Sequence, residues 1–230
     1  MQAEDLTVPD GLVGGVTRFA APLRQKVVDE LRGSIVEGRY SPGSRLIERV
    51  LCEEMQVSRT VIREALRQLE SEHLITLVPN VGPIVRFLTR DEVLGLYEVR
   101  AALESLAGKA CAECVEPSIV ERLDEALAFI EHRDTTDIHG LLRGKDDFLR
   151  ILVVGSNNAV IGEVLSSIHA RVSQLRARTL QTPGRLEATI LELHEIRDAV
   201  AAGDGAAAAD ACRRHVETAG RIALASFDLQ

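Results

Sequence analysis

Residues 57–70, Val57-Ser58-Arg59-Thr60-Val61-Ile62-Arg63-Glu64-Ala65-Leu66-Arg67-Gln68-Leu69-Glu70, spell a helix with two opposed faces. Ile62, Ala65, Leu66 and Leu69 recur at helical spacing and form an apolar stripe, whereas Arg59, Thr60, Arg63 and Arg67 gather on the other side. Ser58 stands ahead of them as the N-cap, so the basic face begins at the helix tip. A helix that offers its first turn to a DNA major groove needs this layout. Arginine forks match the O6 and N7 edge of guanine, and the amides at the tip take phosphate. The plainer alternative is a solvated basic face, and the flanking sequence weighs against it.

Upstream, a first helix is expected from about Pro22 to Glu37, with Leu23, Val27, Leu31 and Ile35 inside and Gly38 as its stop. Ser41-Pro42-Gly43 reads as a turn, and a short helix from about Leu46 to Met55 follows. Gln56-Val57 then links it tightly to the basic helix, which makes a helix-turn-helix. Downstream, Leu74–Val78 and Ile84–Leu88 read as two strands around Pro79-Asn80-Val81-Gly82-Pro83, a hairpin wing. Thr89-Arg90-Asp91-Glu92 is a capping box that opens a second domain.

From Arg90 onward the pattern is helical throughout, over about 90–114, 117–132, 136–154, 158–180, 184–202 and 205–226. Pro117 and Pro183 suit first-turn positions, and Gly203-Asp204-Gly205 makes a corner. Short connections between six helices imply an antiparallel bundle. The fold class is therefore mainly α: a winged helix-turn-helix of three helices and a two-stranded wing over residues 21–88, then an all-α bundle over 89–230. Residues 1–20, with Pro9, Gly11, Gly14 and Gly15 and no sustained period, read as a loosely packed arm. An aromatic content of 3% with no Trp fits helices better than sheets.

The net charge of −8 looks wrong for a DNA partner until it is divided. Residues 21–88 hold 10 Lys and Arg against 9 Asp and Glu, whereas residues 89–230 hold 16 against 23. A near-neutral first domain permits a local basic patch, and an acidic remainder keeps other surfaces off DNA. Cys52, Cys111, Cys114 and Cys212 come with an acidic start, Met1-Gln2-Ala3-Glu4-Asp5, unlike a secretory signal, which points to the cytoplasm. Cys111-x-x-Cys114 lacks a second pair, so the cysteines read as small buried hydrophobes rather than a zinc or redox site. No apolar run reaches the roughly 18 residues that a membrane span needs.

Gly38-Arg39-Tyr40-Ser41-Pro42-Gly43-Ser44-Arg45-Leu46, Val57-Ser58-Arg59-Thr60 and Val61-Ile62-Arg63-Glu64-Ala65-Leu66 resemble the GntR family of bacterial transcription regulators. In the second half, three groups of residues resemble its FadR-like subfamily, whose all-helical effector-binding domain is abbreviated FCD. They are Leu96-Tyr97-Glu98-Val99-Arg100-Ala101-Ala102-Leu103-Glu104, Phe148 with Asn158, and Leu193-His194 followed by Gly203-Asp204 and His215. The resemblance implies a homodimer that binds double-stranded operator DNA, most often as a repressor of a metabolic operon, and answers to a small molecule. By position, Arg45, Arg49, Arg59, Thr60, Arg63 and Gly82 match the family's DNA-contacting residues, with Ser58 at the helix tip. Where the family's wing commonly carries a basic residue before its glycine, this chain has Val81.

Many members of the subfamily hold a divalent metal with an Asp and a His one turn apart plus two later histidines. The later pair matches His194 and His215, but Lys145 and Leu149 stand where the first two would be, and a shift to Asp146 and Arg150 breaks the apolar register. An ammonium repels a cation, so no metal cofactor is expected. Arg100 and Lys145 both lie within apolar stripes, where charge is costly unless paired. With His194 and His215 they are expected to form an anion pocket for a small carboxylate, the lysine replacing the metal's charge. Three plainer readings stand beside this one: Arg100 paired with Glu104, Lys145 with its head at the helix edge, and each histidine as a satisfied core residue. A metal-dependent regulator using His194 and His215 is the rival reading. An enzyme with an appended DNA-binding module is more remote, because residues 89–230 show no nucleophile and base pair.

Overall fold

The computed structural model describes residues 20–114, 116–225 and 227. The arm assigned to residues 1–20 therefore lies outside the described residues, apart from the backbone of Ala20. The first domain comprises α1 (Ala20–Val36), α2 (Glu48–Met55), α3 (Arg59–Ser71), β1 (Ile75–Val78) and β2 (Gly82–Val85). The second comprises α4 (Arg90–Glu113), α5 (Pro117–Glu131), α6 (Ile138–Gly155), α7 (Ala159–Leu180), α8 (Arg185–Ala201) and α9 (Gly205–Ala225).

α1 crosses α3, and their apolar stripes close a core around Val28, Leu31, Ile62, Leu66 and Leu69. Leu23, expected inside, is 44% exposed, and Val28 takes the inner position at 0%. Val27, Leu31 and Ile35 are buried as expected, so the stripe departs only at its N-terminal end. The turn before α3 is made by Gln56 at φ 54°, whose side chain donates to the Glu53 carbonyl at 2.6 Å. Two residues later Ser58 Oγ accepts from the Val61 amide and begins α3.

The wing is a two-stranded antiparallel sheet with Ile75 opposite Val85 and Val78 opposite Gly82. Its second strand starts two residues earlier than the sequence pattern suggests and ends at Val85 rather than Leu88. Pro83 reads as a breaker, yet its carbonyl accepts from the Leu46 amide at 2.9 Å. The Gly43 amide donates to Val85 and the Val85 amide to Ser44, so the lead-in to α2 lies against β2 as a short third edge. Gly43 must be glycine: it sits at φ 82°, and a Cβ there would meet the Phe87 ring at 2.5 Å.

Thr89 and Glu92 form the expected capping box at the head of α4, and Arg86 reaches Glu92 at 2.5 Å. Within the bundle, α4 and α9 pack together over their whole length. Gly108 permits this closeness, because a Cβ there would meet Cys212 Sγ at 2.6 Å. Phe148, Leu141, Leu123 and Val200 fill the centre of the other helices. Pro117 opens α5 as expected. Pro183 does not sit in a first turn: it precedes Gly184, which enters α8 through a left-handed φ of 74°. Cys111 and Cys212 are buried, but Cys114 is exposed at the end of α4, so the buried reading fails for it. Among the described residues no helix is long and apolar enough to cross a membrane.

Beside the Arg86–Glu92 pair, α7 ties the two domains together. Gln174 of α7 donates through Nε2 to the carbonyls of Ile35 and Tyr40, at 3.0 and 3.1 Å, and Ala170 of the same helix packs on the first domain's core.

Candidate functional site

Two regions gather the residues singled out by the sequence. The first is the outer face of α3. Arg59, Thr60, Arg63 and Arg67 are all exposed there, while Ile62, Ala65, Leu66 and Leu69 are buried beneath them. Arg63 is held by Glu48 of α2, Nε to Oε2 at 2.9 Å, and Arg49 by Glu53 at 2.8 Å. Such exposed pairs are worth little, so they orient the guanidinium groups without locking them. Arg45 is brought to the wing tip by its bridge to Ile84, and its guanidinium lies beside Gly82, which has φ 104°. Val81 is exposed at the tip and offers no charge. The tip of α3, the α2 arginine and the wing tip are all exposed, and the Glu48–Arg63 pair ties α2 to α3.

The second region is a buried polar cluster inside the bundle, around a narrow cavity of about 20 Å³. Arg100 of α4 is 4% exposed and donates through Nε and Nη2 to Oε1 of Glu104, at 3.1 and 3.0 Å. Its Nη1 is buried without a partner, and its guanidinium stacks 4.9 Å above the Tyr97 ring. Burial alone would raise the Glu104 carboxyl, but Arg100 and His169 outweigh it and hold the group well below the usual carboxylate range.

Lys145 of α6 lines the same cavity. Burial, and then the nearby charges of Arg176, Arg185 and Arg100, push its ammonium down to about 7. His215 of α9 is buried, with Nδ1 2.5 Å from Glu192 Oε2. Glu192 is pulled down to about 2: His215 and Arg185 overcome its desolvation. Since Glu192 is ionised, His215 donates through Nδ1 and keeps Nε2 as an acceptor. Burial pushes the His215 imidazole down to about 4, so it is neutral near pH 7.

Four members were not anticipated from sequence: Glu192, His169, Arg176 and Arg185. His169 and Arg176 of α7 line the cavity, with His169 3.2 Å from Glu104 and Arg176 2.5 Å from Asp146. Burial, then Arg176, pushes His169 down to about 4. Arg185 of α8 is buried and grips Glu192 with both terminal nitrogens, at 2.6 and 2.7 Å.

His194 is a correction. It points out of the bundle and meets Glu131 of α5 at 2.6 Å, with its side chain 35% exposed. Its neighbour Leu193 faces the cavity instead, since successive residues on a helix diverge by about a third of a turn. Arg100, Lys145 and His215 are therefore brought together, and His194 is not. This arrangement does not fit a divalent metal. By the family resemblance Lys145 and Leu149 occupy the first two ligand positions and neither is a metal ligand, and His194 is turned away. Among the described residues no three His, Cys, Asp or Glu side chains converge as ligands.

Comparison with known proteins gives matches over both regions. The model described as bacterial regulatory proteins, gntR family, matches residues 23–85, and the FCD domain model matches residues 95–218. The HTH-type transcriptional regulator Rv0494 of Mycobacterium tuberculosis is 30% identical over 83% of this chain and 87% of its own length. The gluconate operon transcriptional repressor of Bacillus licheniformis is 29% identical over 65% of this chain and 66% of its own. Among solved structures, E. coli McbR/YncC has the same fold, with a TM-score of 0.79 at 21% identity over 89% of this chain and 98% of that one.

Proposed function

The chain belongs to the gntR family of bacterial regulatory proteins and carries its FCD domain, and from that premise we propose that it is a homodimeric, cytoplasmic repressor of the FadR-like type that releases or engages a metabolic operator when a small organic acid enters the bundle. That it is a DNA-binding transcriptional regulator and not an enzyme follows from its family.

The observation that carries the effector reading is the cavity lined by Arg100, Lys145 and Arg176, with Arg100 Nη1 unpartnered. A carboxylate satisfies that donor, and the lysine supplies the charge a metal would. α7 offers the route of response, because Gln174 grips the first domain within two residues of Arg176. The repressor role is supported by a relative of that name. Dimerisation is supported by exposed Leu94, Val99 and Leu106 on α4.

The test selects duplexes from a random pool with the full-length protein, then titrates the enriched duplex with and without small carboxylates. An inverted repeat, and an affinity that shifts on adding one of the acids, are expected. Selection of no common sequence would refute the operator reading.

A further inference from the structure

The winged domain and the bundle meet over a cavity of about 210 Å³, which shares no lining residue with the polar cluster inside the bundle. Apolar walls come from both sides of this seam: Leu74 and Phe87 from the first domain and its exit, Leu175 of α7 and Phe227 just past α9 from the second. Phe87 is 69% exposed, so a large ring stands in solvent at the rim of an apolar hollow. A cavity of about 150 Å³ is enough to take a benzene ring. The seam therefore has room for a ring and a small head group.

The same space is lined by three arginines, Arg86, Arg171 and Arg178, and among the described residues by no carboxylate. Arg86 spends Nη2 on Glu92, outside the cavity, at 2.5 Å. Arg171 and Arg178 form no ion pair among the described residues, and Arg171 Nε is buried without a partner. Burial and then Arg86 push the Arg171 guanidinium below its ordinary value, and Glu92 offsets them only in part. Arg171, Gln174, Leu175 and Arg178 follow one face of α7. This is the face through which Gln174 holds the first domain. Two cations left uncompensated on a docked face, beside apolar walls, match an anion with an apolar body.

We propose that the seam is a second ligand site, distinct from the bundle cavity, and that it takes an amphipathic anion. An apolar ring or short chain lies against Phe87, Leu175 and Phe227, and a phosphate or carboxylate head accepts from Arg171 and Arg178. The head offsets the repulsion between Arg171 and Arg86. Because the walls belong to both domains, an occupied seam holds the winged domain on α7.

The chain has no Trp, so Phe87→Trp puts a single emitter at the rim. Its emission is titrated with phenyl phosphate, benzoate, inorganic phosphate and benzyl alcohol, and calorimetry of the full-length wild-type protein with the same compounds repeats the measurement without the substitution. Phenyl phosphate or benzoate is expected to give a saturable change, and the tighter of the two identifies the head. Inorganic phosphate and benzyl alcohol should bind roughly tenfold more weakly or worse. Arg171→Gln combined with Arg178→Gln should weaken the aromatic anion by roughly tenfold or more. The seam site is overturned if benzyl alcohol or inorganic phosphate binds as tightly as the aromatic anions, or if nothing saturates by about 10 mM. Calorimetric heat that survives unchanged in the double variant belongs to another site and overturns it as well.

Discussion

Arg100 spends two of its three nitrogens on a single oxygen of Glu104, one helical turn away, and keeps the third for the cavity. The pair is buried on both sides, at 5% and 8% side-chain exposure. Glu104 also meets His169 of α7, so one carboxylate ties two helices. Charges buried in this way are worth little as a pair but costly to break, because removing one leaves the other uncompensated.

Glu104→Gln is therefore expected to destabilise the protein by roughly 3 kcal/mol in urea unfolding. The effect depends on pH. Since the folded carboxyl is held below its ordinary 4.5, its contribution is present in full above that value and lost as pH falls below it. The gap between wild type and variant should narrow on acidification. A gap independent of pH would show that the charge is not what matters.

His194 and His215 should separate cleanly. His194→Ala removes a half-exposed pair with Glu131, so a change in stability of at most about 1 kcal/mol and an unchanged carboxylate affinity are expected. His215→Ala removes a buried ring bound to Glu192, and titration with the acid that binds wild type should show weaker binding. Equal effects of the two substitutions on affinity would return His194 to the site.

The winged domain was largely legible because its signals are local. Ser58, the stripe Ile62, Ala65, Leu66 and Leu69, and the Thr89–Glu92 box each lie within a few residues of the feature they make. The strand boundary at Gly82 was not, because Pro83 is a breaker in isolation and only its partner Leu46 shows why it is tolerated. In the bundle, Arg100 and Lys145 stood out as charges on apolar stripes. His194 was misplaced although its helix held the answer: Leu193, Ile196 and Val200 recur as an inner stripe that excludes it. His169 and Arg176 lie seven residues apart beside the stripe of Leu165, Ile168 and Val172, a spacing that could have flagged them. Glu192 and Arg185 left no such trace, since their partnership with His215 is made by the docking of α8 on α9.

On the DNA side, the operator reading assigns Arg59 and Arg63 to bases, and Arg45 and Arg49 to the backbone. Arg63→Ala should cost roughly 1–3 kcal/mol at the selected duplex and relax its sequence preference, whereas Arg45→Ala should weaken all duplexes alike. The wing can be strengthened: Val81→Lys adds a charge to the exposed tip beside Arg45, and should steepen the salt dependence by about one ion. Anisotropy titrations over a range of salt concentrations check all three. A selective duplex preference that survives in Arg63→Ala would remove that residue from base readout.

Gln174 is the next candidate for coupling. It holds two carbonyls of the first domain, at the end of α1 and in the turn after it, from the helix that carries His169 and Arg176. Gln174→Ala should leave acid binding and ligand-free DNA binding near wild type, yet shrink the coupling between them, which amounts to roughly 1–3 kcal/mol in such systems. The measurement is DNA affinity with and without saturating acid. A full response in the variant would mean that the signal travels by another contact.

Lys145 is expected to make acid binding sensitive to pH. Its ammonium, held at about 7 by burial and then by Arg176, Arg185 and Arg100, is partly neutral at physiological pH, and a bound carboxylate draws it back to the charged form. Binding then takes up a proton, so acid affinity is greatest below about pH 7 and falls above it, by up to roughly tenfold per pH unit. His169 and His215, at about 4, remain neutral in that range and do not contribute. The three arginines stay charged, and Glu104 and Glu192 stay ionised. Titration in buffers of different ionisation enthalpy measures the proton taken up. Lys145→Arg fixes the charge and should bind without proton uptake and with a flat profile. Lys145→Ala should bind weakly at every pH, and an affinity unchanged in that variant would remove Lys145 from the anion site.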